Sequence, residues 1–469
     1  MVGREVVGAA LEAADPVSAA AVRGETAWRT AYPGHFRRLV EIAAHAPQRT
    51  VPSARAGLDR LHSAMRWEPA PGGDDEPLAA ALDAQGATLA TEVVEGGAEP
   101  ERELSIPLRG KRIRGAELTR QLDDWVDAGV MEPGAREAVR RVQDNPDWLR
   151  LEGRTLVVLG AGAEMGPLRA VLRLGATVAA VDLPRPQLWR GVLADATERA
   201  GRLLLPVGAD STGELEQRAG ADLLHDPAAV ARWLGTVDGP LVLGNYVYAD
   251  GGTNLRLAAA VDALTERVAA ERDDSALAFL ATPTDVFEVP GDAVAQSRQA
   301  YADAGFTRFV RAPLRAASGG RLLRRQYAPG LDGPLVSDAI VPQQGPNYLL
   351  AKRIHRWRAT SAAADGRLVS MTVAPPTRTR SVTKNRALAA AYAGAHRFGV
   401  QVFEPATAST LMAAMLVHDL HTGGVAARPG TPLQAESHTA VHGGTWRIAY
   451  DPRSALGIAA LLGWGAARP

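Results

Sequence analysis

Residues 155–182 read TLVVLGAGAEMGPLRAVLRLGATVAAVD. Thr155–Leu159 and Thr177–Val181 are apolar runs of buried-strand length, and Pro167–Leu174 between them is amphipathic. The turn Gly160-Ala-Gly-Ala-Glu-Met-Gly166 directly follows the first strand and directly precedes the helix. Gly160 permits a tight turn, and a small residue at 162 lets backbone approach a pyrophosphate. Gly166 allows the helix to pack closely on the strand, with its N-terminus toward the phosphates. Asp182 ends the second strand, where a carboxylate meets ribose hydroxyls. The segment predicts a dinucleotide site built from Gly160, Gly162, Glu164, Met165, Gly166 and Asp182. The acid would repel a 2′-phosphate and favours NAD, while the neighbouring Arg185 leaves NADP open.

Outward from this segment the alternation continues. Arg202–Pro206, Pro240–Gly244, Leu277–Ala281 and Leu368–Val373 read as further strands, with helical stretches Leu255–Ala270, Val294–Ala304 and Tyr348–Ala364 among them. Strands alternating with helices predict an α/β fold, a doubly wound parallel sheet of Rossmann type over residues 151–469. Residues 1–150 read as a mostly helical accessory region, with helices over Ala27–Ala46, Ala54–Trp67 and Ala116–Ala128 and loops over Pro69–Pro77 and Glu95–Glu103.

Composition narrows the function classes. A net charge of zero over 469 residues gives no basic field for nucleic acid or an anionic membrane. Cysteine is absent, which removes disulfides, zinc–thiolate sites and thiol nucleophiles. The N-terminus carries early charges of both signs and no sustained apolar run, so no secretory signal is expected, and the apolar stretches are too short to span a bilayer. A cytoplasmic protein with a small-molecule substrate is the expectation, with no metal. His418 and His421 read as capping or surface residues rather than ligands.

The second constellation is Gly345-Pro-Asn-Tyr-Leu-Leu-Ala-Lys-Arg353. Tyr348 and Lys352 lie four apart, on one face of a helix. A phenol is a poor proton donor and acceptor at neutral pH, and an adjacent ammonium favours its ionised form. Such a tyrosine can protonate an alkoxide or deprotonate an alcohol, and the lysine can also hold a ribose. Of 52 basic residues only Lys111, Lys352 and Lys384 are lysine. In a chain that uses arginine wherever only charge is needed, a retained lysine points to chemistry arginine cannot supply.

Together these features resemble the short-chain dehydrogenase/reductase family over roughly residues 154–425. The turn is similar to that family's Gly-x-x-x-Gly-x-Gly, with Glu164 in place of the middle glycine. Ala221-Asp222-Leu223 resembles the segment that sets an Asp against adenine. Leu243-Gly-Asn-Tyr246 sits where the family has Asn-Asn-Ala-Gly, with Asn245 comparable. Asn254 resembles the helix-borne catalytic Asn, and Thr282, with Thr284 as alternative, stands where the family has a catalytic Ser. Val373-Ala-Pro-Pro-Thr377 and Phe403-Glu-Pro-Ala-Thr-Ala408 are similar to later family elements. About 60 residues separate Thr282 from Tyr348, where the family has about a dozen, so residues 285–343 read as an insertion. Its Arg321, Arg324 and Arg325 either face solvent or meet an anionic group on a substrate.

The resemblance implies an NAD(P)-dependent oxidoreductase transferring hydride between nicotinamide and a carbonyl or alcohol. Tyr348 would be the acid/base, Lys352 would lower its pKa, Thr282 would hold the substrate oxygen and Asn254 would join a proton relay. Cofactor contacts would add Asp222, Asn245, Tyr348 and Lys352, and a homo-oligomer is implied. Two alternatives share the fold: a non-redox epimerase or dehydratase that retains the cofactor, and a dinucleotide-sensing scaffold.

Overall fold

The computed structural model describes residues 2–69, 72–303, 307–330 and 333–465. Ala70 and Pro71 of the expected Pro69–Pro77 loop, Ala304 of the expected Val294–Ala304 helix, and residues 304–306 and 331–332 of the expected insertion lie outside them. The centre is a seven-stranded sheet. Its strands are β1 (Leu89–Glu95), β2 (Thr155–Leu159), β3 (Thr177–Val181), β4 (Arg202–Gly208), β5 (Leu241–Asn245), β6 (Ala276–Ala281) and β7 (Val369–Val373).

Across the sheet the order is β7-β6-β5-β2-β3-β4-β1. β2 to β7 run parallel, and β1 pairs antiparallel with β4. This is a Rossmann-like doubly wound sheet, with its order reversing between β2 and β5. In that reversal a crevice forms at the carboxyl ends, where such sheets bind ligands. Leu159 stands in register with Val181 on one side and Asn245 on the other, so three strand ends reach the crevice level.

The strands are apolar throughout because both faces are covered. Leu156, Val158, Val178 and Ala180 pack toward Leu411 and Met415 of the helix Pro405–Thr422. Val157, Leu159, Ala179 and Val181 pack toward Val230 of Pro227–Gly235 and Val261 of Gly251–Glu271. The six expected strands and the expected helices Trp28–His45, Thr50–Ala64 and Gly115–Asp127 all form, with ends moved by a few residues.

The edge strand β1 and the hairpin Ser105–Leu108/Lys111–Arg114 were not anticipated in a region read as helical. β1 is half-polar and gains its place through pairing along its length with β4, with Glu92 accepting a bond from Arg218 at 2.7 Å and Glu95 paired with Arg202 at 3.0 Å. The expected insertion begins and ends in an antiparallel pair, Val286–Val289 with Leu335–Asp338. No helix among the described residues is long and apolar enough to cross a membrane.

The helix Gly345–Ala364 is held from several sides. The N-terminal helices pack on it, and a Cβ added at Gly57 would lie 2.7 Å from the Trp357 ring. The guanidinium of Arg358 donates to both oxygens of Asp262, at 2.9 and 2.8 Å. Arg353 and Arg356 both donate to Asp285, Arg356 at 2.8 Å, and Arg356 also grips Glu436 at 2.6 Å. These four side chains are nearly dry. Removing one partner of a buried ionic group strands the others in a poor dielectric. Asp285→Ala is therefore expected to lower unfolding free energy by about 3–5 kcal/mol, against less than about 1 kcal/mol for Arg267→Ala in a surface pair, read from urea denaturation.

His62 joins the Asp262 cluster at 2.9 Å. Burial opposes its charge, but hydrogen bonds to Asp262 and Glu266 outweigh burial and raise its pKa to about 9. A histidine raised in the folded state stabilises fully below its unfolded pKa of about 6.5 and loses that contribution as pH rises through the folded value. The stability difference between wild type and His62→Ala should thus be largest near pH 6 and shrink as pH passes about 9, measured as urea midpoints across that range.

Candidate active site

The glycine turn leaves β2 at the crevice. Gly160 has φ +96°, and a Cβ there would lie 3.0 Å from the Tyr246 carbonyl and the Val247 nitrogen. Only glycine suits that conformation and that approach. Its N–H donates to the Val181 carbonyl at 2.8 Å, which ties the turn to β3. The Gly162 N–H donates to Asp182 Oδ2 at 2.8 Å, and the Leu183 N–H to Asp182 Oδ1 at 2.8 Å. Burial raises the Asp182 pKa, and the two N–H bonds pull it back. Each carboxylate oxygen keeps a second lone pair for a further donor.

Asp222 is brought to the same strand end, because the Ala221 N–H bonds the Asp182 carbonyl at 3.0 Å; its own carboxylate accepts from the Leu224 N–H at 2.8 Å. A turn with glycine at its closest approaches, an acid at the end of β3 and a second acid beside it fit the adenosine half of a dinucleotide. Gly166 sits close under Ala163, its would-be Cβ 3.2 Å from the Ala163 carbonyl oxygen. Met165 packs inward on the core. Glu164 reaches across the crevice mouth instead: its carboxylate accepts from the Arg380 N–H at 2.7 Å and from Arg380 Nε at 3.1 Å. The helix after the turn, Leu168–Arg173, is only six residues long.

Tyr348 stands in the first turn of its helix, which Gly345 enters at φ +82°. Its hydroxyl donates to Thr282 Oγ1 at 3.1 Å, and Thr282 Oγ1 lies 2.9 Å from Thr284 Oγ1. Both candidate threonines therefore join one hydroxyl cluster at the end of β6. Burial raises the Tyr348 pKa, and bonds with Thr282, Thr284 and Gln344 oppose that rise. Lys352, one turn along, is lowered by burial to about 8. Burial is the leading influence on the phenol, followed by the bonds with Thr282 and Thr284, in place of the lysine expected to tune it.

Asn254 is buried, with Oδ1 accepting from the Ala249 N–H at 3.0 Å, so it braces the loop after β5. Asn245, buried at the end of β5, accepts from the Val247 N–H at 3.4 Å. In this geometry both asparagines shape the crevice wall.

Three neighbours went unread in the sequence. Tyr248 meets the Tyr348 ring edge-on, centroids 6.2 Å apart, and donates to Asp250 at 2.9 Å. Tyr392, on the helix Arg386–Gly394, lies near enough that Tyr348 raises its pKa further beyond the effect of burial. His355 follows Lys352 on the same face, buried, and neither ring nitrogen has a hydrogen-bond partner among the described residues. Only the helix spacing of His355 offered a signal, since the two tyrosines reach the site through tertiary folding.

The insertion arginines are engaged elsewhere or exposed. Arg324 pairs with Asp451 at 3.0 Å, Arg325 lies 4.4 Å over the Tyr301 ring, and Arg321 is exposed. His421 stacks on Trp148 at 4.7 Å and His418 lies 3.3 Å from Asp419.

No protein-family model matches the chain, and no curated protein matches it either. Among solved structures it is similar to a double-mutant short-chain dehydrogenase/reductase from Serratia marcescens, at 14% identity and a TM-score of 0.33, covering 63% of this chain and 99% of the other. It is also similar to an Agrobacterium tumefaciens protein described as a 2-deoxy-D-gluconate 3-dehydrogenase with bound NADP, at 16% identity and a TM-score of 0.30, covering 63% and 98%.

Replacing Gly160 by Val forces a β-branched residue to positive φ and presses its Cβ on the Tyr246–Val247 backbone. A loss of about 1–3 kcal/mol in stability is expected. Gly191→Ala, in an open helical position with no atom within 4 Å of the added carbon, should be neutral or stabilising. Urea denaturation of the two variants checks this.

Proposed function

We propose that the chain is an NAD(P)-dependent oxidoreductase that interconverts a carbonyl and an alcohol. The reading rests on one observation: the Tyr348 phenol, bonded to Thr282 at 3.1 Å, shares a helix face with Lys352 at the carboxyl edge of the sheet. Bound in the crevice, the nicotinamide would supply or accept hydride. Every other step belongs to side chains of this protein.

Thr282 and Thr284 would orient the substrate oxygen by hydrogen bonding, and Tyr348 would pass it a proton. Burial keeps the phenol protonated at neutral pH, so the group is poised to donate to a carbonyl oxygen. Lys352, lowered to about 8, would carry its charge under those conditions and hold ribose hydroxyls. Asp182 would take the adenosine ribose and disfavour a 2′-phosphate, so NADH is the preferred cofactor, with NADPH accepted less well.

Following NADH oxidation in the presence of a carbonyl substrate tests the reading. Tyr348→Phe should lower kcat by about 10²–10⁴-fold with little change in the NADH Kd. Folded wild type that binds NADH and yet oxidises none across a broad carbonyl panel would contradict it.

The pH profile gives a separate check. Lys352 is protonated below its pKa, so kcat/KM for reduction should fall as pH rises through about 8. In Lys352→Arg, whose guanidinium stays charged, that fall should disappear.

A further inference from the structure

Beside the hydroxyl cluster lies an apolar cavity of about 90 Å³, partly open to solvent. Thr284, bonded to Thr282, lines it, and so does Tyr392. Its other walls include Ile340 and Val341 beyond the hairpin, Ala391 of the helix Arg386–Gly394, Val400, and Leu456 of the helix Pro452–Gly463.

The two helices are locked together. A Cβ at Gly394 would lie 1.9 Å from the Ala459 carbonyl oxygen, and one at Gly463 would lie 2.0 Å from that of Ala390. Such backbone contact leaves little room for the walls to collapse, so the cavity is preformed.

Charge on the wall is confined to Arg453, whose guanidinium is bonded to the buried Asp338. Arg324 and Arg325 do not line the cavity. An anionic or sugar-like substrate would lose its hydration here without regaining partners, whereas hydrocarbon surface would gain by burial. Small-molecule sites commonly combine apolar walls with a few polar groups that fix orientation.

On these grounds we infer that the protein's substrate is a neutral carbonyl compound with a hydrocarbon body, its oxygen at the Thr282–Thr284–Tyr348 hydroxyls and its body in this cavity. The substrate assignment rests on the oxidoreductase reading; the cavity's ligand chemistry can be tested apart from it.

Two arms keep them distinguishable. In the first, saturation-transfer NMR follows acetophenone with cofactor-free wild type, Ala391→Trp and Leu456→Trp. Leu456 is half-buried where Ala391 is buried, so its variant serves if Ala391→Trp fails to fold; melting temperatures report folding. Acetophenone should bind wild type and bind a folded filled variant at least about tenfold more weakly. Equal binding, or none to wild type, would overturn the inference. In the second arm, NADH oxidation with acetophenone and octanal is compared with pyruvate and glyceraldehyde. The apolar pair should show kcat/KM at least about 100-fold higher, and the reverse preference would overturn the inference. If no carbonyl is reduced but acetophenone binds in the cavity, the ligand chemistry stands and the oxidoreductase reading falls.

Discussion

Asp285 is a fully buried carboxylate held between two equally buried guanidiniums, Arg353 and Arg356. It follows directly on the Thr282–Thr284 turn, and its partners lie on the helix that carries Tyr348 and Lys352. Two distant segments, the end of β6 and the Tyr348 helix, are thereby fixed at one distance. A hydrogen bond of 3.1 Å between Tyr348 and Thr282 requires that constraint. Ionic groups out of water do little for net stability, but their geometry is strict, and a mismatched alternative would leave charges stranded.

The remaining parts serve the same positioning. The N-terminal helices cover faces of the Gly251–Glu271 and Gly345–Ala364 helices that would otherwise expose Leu255, Leu349 and Ile354. The Arg358–Asp262–His62 cluster joins all three layers of that packing. On the other side of the crevice, Glu164 occupies a position where a glycine would leave space and uses its carboxylate to tether the turn to Arg380. Turn, hydroxyl cluster and apolar cavity thus meet along the carboxyl edge of one sheet.

Much of this was legible in the residues. Buried strands in a doubly wound sheet are continuous apolar runs, so β2 to β7 could be read directly, and Gly160 and Asp182 take meaning from their place at strand ends. The pairing of Tyr348 with Thr282 followed only from a resemblance in the order of elements. β1 was hidden because an edge strand is half-polar and its pairing partner, β4, lies over a hundred residues along the chain. Tyr248, Tyr392 and the cavity walls come from loops and helices whose meeting no local periodicity encodes. In the linear chain the three insertion arginines could face solvent or meet an anionic group; the fold gives Arg324 to Asp451 and Arg325 to the Tyr301 ring.

The central claim is that the crevice above β2 and β3 binds a nicotinamide dinucleotide through Gly160 and Asp182. Calorimetric titration of NADH and NADPH into wild type and Asp182→Ala addresses it most directly. NADH should bind wild type more tightly than NADPH, with that preference narrowed or lost in Asp182→Ala. Absence of binding of either cofactor to folded wild type, or an NADH affinity untouched by the substitution, would contradict it.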